Sequence, residues 1–316
     1  MGTQTDAPAA AQGFAPLTAS MALDLAAPHT WPASVLPCLV AVAAASTVSP
    51  PSLSTVLVLL AICILMQASV NTFNDYYDYV KGSDSAEDNL EADDAVLVYN
   101  NVNPSHVKGL AVGFLAAAFM LGSYIIWLAG WVPLAIGAVG AVFVVAYSAG
   151  KTPVSYLPVG ELVSGVVMGG LIPLACYYVL TGRLEPLMLL WAVPTMIGVG
   201  LIMMTNNTCD IEKDVEAGRR TLPVKLGRNR ARTAYHAAAL VWTASIAAIV
   251  AVFFTGGILV LPFMLLAVYP QMKALFGNPL APQSRIAAMG QIAGVNITLG
   301  TFYAAGIFAS ALPFCW

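Results

Sequence analysis

Two stretches of this sequence place carboxylates and carboxamides at helical spacing. In the first, Asn71-Thr-Phe-Asn74-Asp75-Tyr-Tyr-Asp78, positions 71, 75 and 78 stand at i, i+4 and i+7. In the second, Asn206-Asn207-Thr-Cys-Asp210-Ile-Glu-Lys-Asp214, positions 207, 210 and 214 stand at i, i+3 and i+7. On a helix, each set shares one face. Each also closes a long apolar run, so two separate helices end in one amide and two aligned carboxylates.

Two facing pairs of carboxylates repel, and beside an apolar interior each is costly to keep ionised. A hard cation resolves both problems. Mg²⁺ takes one or two carboxylates, some waters and the oxygens of a substrate phosphate. A diphosphate held to both clusters through Mg²⁺ fits that preference, and the metal would withdraw charge from the leaving oxygen. Asn71, Asn74 and Asn207 are candidate supporting ligands to the diphosphate. Lys151, in Tyr147-Ser-Ala-Gly-Lys151, and Arg219, Arg220 and Lys225, after the second cluster, are candidates to stabilise charge on a departing diphosphate.

Blander readings stand beside these. A single Asp pair at a helix end is ordinarily a solvated cap; two matched pairs, each preceded by Asn, argue otherwise. The basic run from Arg219 to Arg232 is, by itself, adequately explained as a topology signal, and Lys151 as an anchor. Glu161 begins an apolar run and suits a helix N-terminus. His29, His106 and His236 are isolated. Tyr76, Tyr77 and Tyr79 suit an interfacial belt. Glu87, Asp88, Glu91, Asp93 and Asp94 suit a solvated loop.

The elements that must carry these groups are membrane helices. Of the 316 residues, 59% are hydrophobic and only 9% charged, against about 25% charged in a soluble domain. Apolar runs of spanning length recur along the chain, without the alternation of a barrel strand. The expected fold is an all-α polytopic membrane protein. Nine spans are expected, at 31–49, 52–74, 107–129, 131–149, 160–180, 187–208, 232–255, 257–275 and 288–311, in a single bundle around a cavity. Residues 1–29 contain no Lys or Arg and read as a flexible tail or short surface helix, leaving 30–316 as the transmembrane domain.

Of the 13 Lys and Arg residues, only Arg183 falls on the side opposite the rest. The positive-inside rule then places the N-terminus, both carboxylate clusters and the cavity mouth at the cytoplasmic face of the cell membrane. The five cysteines show no paired spacing, and no redox or zinc role is assigned to them. No nucleic-acid partner is expected.

The two clusters together resemble the signature motifs of the UbiA superfamily of intramembrane aromatic prenyltransferases, over spans two to seven. Asn74-Asp75-Tyr-Tyr-Asp78-Tyr-Val-Lys-Gly-Ser-Asp84, Gly160-Glu161-Leu and Asp210-Ile-Glu-Lys-Asp214-Val-Glu-Ala-Gly218-Arg-Arg-Thr221-Leu-Pro223 resemble the branch that prenylates 1,4-dihydroxy-2-naphthoate. The resemblance implies a helical bundle with a cytoplasm-facing site and Mg²⁺ bound by Asp75, Asp78, Asp210 and Asp214. It implies a polyprenyl diphosphate donor, an aromatic acceptor, loss of the acceptor's carboxylate as CO₂, and a place in menaquinone biosynthesis. Much of the superfamily carries a third Asp four residues after Asp78. Here that position is Gly82 and the next acid is Asp84, a further candidate ligand.

Rival readings are a different ring acceptor (4-hydroxybenzoate, homogentisate, haem or a chlorophyllide) and, from another class, a transporter or Mg²⁺ channel. Against the transporter stands the confinement of the acids to one membrane face, with spans nearly free of charge.

Overall fold

The computed structural model describes residues 14–82 and 96–312. Asp84, the acids 87–94 and the first thirteen residues lie outside the described residues. The described chain is helical, with one isolated parallel bridge between Ala15 and Val102. In order, the helices are α1 (Ala19–Ala26), α2 (Pro32–Ser46), α3 (Leu53–Lys81), α4 (Val96–Tyr99), α5 (Pro104–Ala129), α6 (Trp131–Ala146), α7 (Gly160–Ser164), α8 (Ile172–Thr181), α9 (Leu187–Trp191), α10 (Val193–Cys209), α11 (Ile211–Glu216), α12 (Leu222–Leu226), α13 (Arg228–Phe253), α14 (Val260–Gly277) and α15 (Arg285–Ala309). A π-helical stretch, Gly165–Leu171, joins α7 to α8 as one rod, Gly160–Thr181.

Among the described residues, six helices are long and apolar enough to cross a membrane: α3, α5, the α7–α8 rod, α13, α14 and the segment ending in α15. A seventh arises if α2 is counted with the helical segment before it, to which it is bent by 55°. Each of the nine expected spans overlaps a helix, but α2 has 15 residues, α6 has 16, and the span expected at 187–208 is broken at Ala192 into α9 and the 17-residue α10. A continuous rod needs about 20 residues to cross the hydrocarbon core.

Local chemistry sets the ends of α3, the helix that carries the first cluster. It starts after Pro50-Pro51-Ser52 and stops at Gly82, whose φ of 67° suits a residue without a Cβ. Its 29 residues span about 44 Å, against a hydrocarbon core of about 30 Å. If Leu53 marks one edge of the core, the other is reached near Phe73, so Asp75 and Asp78 emerge where the apolar run ends.

The α7–α8 rod and α10 meet almost backbone to backbone. A Cβ on Gly169 would collide with Met196 and stand 2.6 Å from the carbonyl carbon of Thr195. Small residues permit such an approach between membrane helices. Pro173 has no N–H to offer the Gly169 carbonyl four residues earlier. Thr195 Oγ1 donates to that carbonyl at 2.6 Å instead, stitching the two helices together.

Of the expected tail at 1–29, residues 14–29 are described. Residues 19–26 are α-helical and 28–30 form a 3-10 turn after a left-handed Ala27, and α1 packs on α3: Thr72 Oγ1 donates to Leu25 O at 3.1 Å, and Asn71 Nδ2 to Ala26 O at 3.1 Å. Leu25 and Ala26 are buried, so this segment forms part of the bundle's polar end.

Candidate active site

A cavity of about 870 Å³ lies inside the bundle, and both carboxylate clusters open into it. Its polar end is lined by Asn71, Asn74, Asp75, Asp78, Asn206, Asn207, Asp210, Lys213, Asp214, Arg219 and Arg285. The remainder is mainly apolar, with Ser34, Gln67, Ser164 and Asn296 among walls formed by Leu59, Ile62 and Met66 of α3, Phe119 and Ile125 of α5, Leu134 and Phe143 of α6, Leu171, Ile172 and Val179 of the α7–α8 rod, and Ile202 and Met289. Along α3, the distance from Asp75 back to Leu59 is about 24 Å at 1.5 Å per residue. The cavity therefore suits a ligand with an anionic head and a long hydrocarbon tail.

On α3, the carboxamides are already oriented. Asn71 Nδ2 donates to Thr30 Oγ1 at 2.7 Å, and Gln67 Nε2 donates to Asn71 Oδ1 at 3.2 Å. Asn74 Nδ2 donates to Asp78 Oδ2 at 2.9 Å, while Ser148 Oγ donates to Asn74 Oδ1 at 3.0 Å. Asp75 is buried and accepts the Val96 N–H at 3.0 Å.

The second cluster does not continue as one helix. α10 ends at Cys209, and Asp210 leaves helical geometry, at φ −99° and ψ 19°. Asp214 therefore sits on α11. The Asp214 N–H nonetheless donates to Asp210 O at 2.8 Å, which keeps both side chains toward the cavity. Asn207 Nδ2 donates to Glu161 Oε1 at 2.8 Å; Glu161 is buried, and its Oε2 has no partner among the described residues.

Two arginines tie the carboxylates together. Arg219 lies 2.8 Å from Asp78 Oδ1 and 3.7 Å from Asp214 Oδ1, and its guanidinium stacks over Tyr156 at 4.9 Å. Arg285 Nε donates to Asp210 Oδ2 at 3.2 Å, and its terminal nitrogen donates to Asn206 Oδ1 at 2.8 Å. Thr221 Oγ1 donates to Asp214 Oδ2 at 3.0 Å.

Even so, Asp210 and Asp214 are held above the ordinary carboxylate range. Burial pushes the Asp214 carboxyl up to about 6, with Arg219 and Thr221 opposing the rise. Burial also raises Asp210, opposed by Arg285. Burial alone would lower Arg219, but Asp78 and Asp214 outweigh it and hold the guanidinium above its ordinary value.

The donor set fits Mg²⁺. It consists of hard oxygens, and among the described residues no three carboxylates bring oxygens within 4.8 Å of one another. That spread does not suit an all-protein cage. It suits an ion that takes one or two carboxylates and completes its shell with diphosphate oxygens and water.

Of the residues singled out in the sequence, Asn71, Asn74, Asp75, Asp78, Asn207, Asp210, Asp214 and Arg219 meet at the cavity. Lys151, Arg220 and Lys225 are exposed and do not line it; Arg220 instead uses its backbone N–H to bind Tyr156 O at 2.8 Å. Asp84 lies outside the described residues. Arg285, Asn206, Lys213 and Glu161 join the site or support it without having been assigned a role there. Arg285 had only topology to mark it, as one basic residue at the start of the last span.

The UbiA prenyltransferase family model matches residues 34–295. The chain belongs to the UbiA prenyltransferase family. It is a multi-pass membrane prenyltransferase. It is 31% identical over 294 residues to 1,4-dihydroxy-2-naphthoate octaprenyltransferase of Bacillus subtilis (strain 168), covering 91% of this chain and 92% of that one. It is 28% identical over 210 residues to 1,4-dihydroxy-2-naphthoate octaprenyltransferase of Mycobacterium tuberculosis, covering 66% and 71% of the two. Its fold is similar to that of a UbiA homologue from Archaeoglobus fulgidus bound to DMAPP and Mg²⁺, with a TM-score of 0.61, 18% identity and coverage of 90% and 99%. A UbiA homologue from Aeropyrum pernix K1 gives a TM-score of 0.65 at 16% identity, with coverage of 89% and 98%.

Proposed function

We propose that this UbiA-family enzyme transfers a polyprenyl chain from its diphosphate to 1,4-dihydroxy-2-naphthoate, with loss of CO₂. The product would be a demethylmenaquinol. The observation that carries this reading is the continuity of one cavity from the two carboxylate clusters to a long apolar wall. The acceptor rests on similarity to relatives named for that substrate.

In this reading, Asp75, Asp78, Asp210 and Asp214 hold Mg²⁺, with Asp84 as a further ligand. Held there, Mg²⁺ would supply charge neutralisation to the leaving diphosphate and so favour ionisation of the allylic C–O bond. Arg219 and Arg285, already at the carboxylates, can turn to the diphosphate oxygens as it enters, and Lys213 lines the same end. Guanidinium groups suit this exchange because their planar donor fork serves carboxylate and phosphate alike. Ser148 and Glu161 keep Asn74 and Asn207 pointed at the head group. The apolar wall holds the prenyl chain and keeps water from an allylic cation, leaving the electron-rich ring carbon as its nucleophile. Decarboxylation then restores aromaticity.

The proposed topology is nine crossings, with α2, α6 and α10 added to the six long helices, and with the site at the cytoplasmic face of the cell membrane. The charge asymmetry of the connections supports this orientation.

The test is a product assay. Purified protein in nanodiscs receives 1,4-dihydroxy-2-naphthoate, a radiolabelled polyprenyl diphosphate and Mg²⁺, with EDTA in a parallel sample. A metal-dependent, prenylated and decarboxylated naphthoquinol is expected. Product from 4-hydroxybenzoate or homogentisate, and none from the naphthoate, would replace the proposed acceptor.

A further inference from the structure

Three cysteines that are scattered in the sequence meet inside the bundle. Cys38 comes from α2, Cys63 from the apolar half of α3, and Cys176 from α8. Their sulfurs all lie within 4.8 Å of one another, and those of Cys38 and Cys176 are 3.7 Å apart. All three residues are buried. Cys63 precedes Asp75 by twelve positions, about 18 Å along α3, so the cluster is separate from the carboxylate site.

A buried cysteine is ordinarily a small apolar filler, and one such residue would call for nothing more. Convergence from three helices is a stronger observation, because sulfur spacing can be compared with coordination chemistry. Ligands held at about 2.3 Å from one ion stand about 3.8 Å apart in a tetrahedral arrangement and about 4.0 Å apart in a trigonal plane. The observed spacing accommodates both. Sulfur donors select soft ions and discriminate against Mg²⁺. Cys63 and Cys176 also line the cavity, which provides an entry path and space for a fourth ligand.

We propose that Cys38, Cys63 and Cys176 form a binding site for a soft, thiophilic metal ion in the wall of the cavity. A divalent ion bound by three thiolates releases three protons to water through the cavity and leaves one net negative charge shared by three sulfurs. The bound ion would tie α2, α3 and α8 together beside the proposed prenyl-chain channel.

Cd²⁺ alone serves as the probe. Reduced, metal-free protein in detergent is titrated with Cd²⁺ in an excess of Mg²⁺, following the ultraviolet sulfur-to-cadmium charge-transfer band, which carboxylate ligation does not produce. Alkylation followed by peptide mass mapping shows which thiols the ion protects. The band should saturate at one equivalent, with Cys38, Cys63 and Cys176 protected together. It should persist in Asp75→Asn and disappear in Cys38→Ser, a residue outside the cavity lining. If Cys38→Ser does not fold, thiol mapping on the wild-type protein decides the matter alone. No band, unchanged alkylation of the three thiols, or a band abolished by Cys209→Ser would overturn the proposal.

Discussion

Arg219 donates to Asp78 Oδ1 at 2.8 Å, joining the segment after α11 to the C-terminal end of α3. The same guanidinium lies 3.7 Å from Asp214, so one side chain spans both carboxylate clusters. It makes a natural counter-charge for a diphosphate arriving between them. Arg219→Ala should lower kcat/KM by roughly 10²-fold or more, the scale of losing one preorganised donor to a developing anion. Arg219→Lys should recover little, since a point charge cannot serve two carboxylates through a planar fork. Initial rates at saturating Mg²⁺ check this; an alanine variant within about twofold of wild type would remove Arg219 from the proposed mechanism.

The carboxylates should act through metal. Asp75→Asn and Asp210→Asn are each expected to weaken the apparent Mg²⁺ affinity strongly and to lower product formation by at least about 10²-fold, on the scale of losing a principal electrostatic contact in the transition state. EDTA should abolish activity in the wild type, and added Mg²⁺ should restore it. Full Mg²⁺-dependent activity in both variants would end the ligand assignment.

Glu161 is predicted to act through Asn207, which it holds at 2.8 Å. Glu161→Ala should reduce activity by about 10- to 100-fold, the usual cost of removing a supporting partner. In combination with Asn207→Ala, the loss should be far less than the sum of the two single losses, because both changes break the same contact. Additive effects in that double-mutant cycle would separate the two residues.

Gly169 sets the approach of α10 to the α7–α8 rod, and an added Cβ would strike the backbone at Thr195 and Met196. Gly169→Ala should cost about 1–3 kcal/mol through overpacking, read as a lower Tm in detergent. An unchanged Tm would show that the two helices separate at little cost.

The metal-free protein should be more heat-stable at pH 5 than at pH 7.5. Burial pushes the Asp214 carboxyl up to about 6 from its ordinary 3.8. Between those values the folded chain keeps a proton that the unfolded chain has lost, so stability falls as pH rises from about 4 to about 6 and then levels. Asp210 shifts in the same direction. Glu212, largely exposed and held low by Arg228, opposes them weakly. Asp214→Asn should flatten the profile; a steeper loss of Tm with rising pH in that variant would contradict the sign.

Much of this architecture is legible in the sequence, because it depends on local rules. Apolar run length marks the helices, since a backbone in lipid must satisfy its own hydrogen bonds. Spacings of three, four and seven put Asn71, Asp75 and Asp78 on one face without reference to any other helix. The second stripe is legible for the same reason, although the break at Asp210 moves Asp214 onto α11.

What the tertiary structure alone decides are relations between distant segments. Arg285 reaches Asp210 across 75 positions, and Arg219 reaches Asp78 across 141. Nothing local distinguishes these arginines from the exposed Arg220 or Lys225. Glu161 reads locally as a helix N-terminal acid, yet in the fold it orients Asn207. Cys38, Cys63 and Cys176 look unrelated until three helices pack. A residue's spacing fixes its direction on its own helix, whereas its partners depend on how that helix is rotated and shifted against its neighbours. Those rotations are set by packing features such as Gly169 against α10, which no short window of sequence contains.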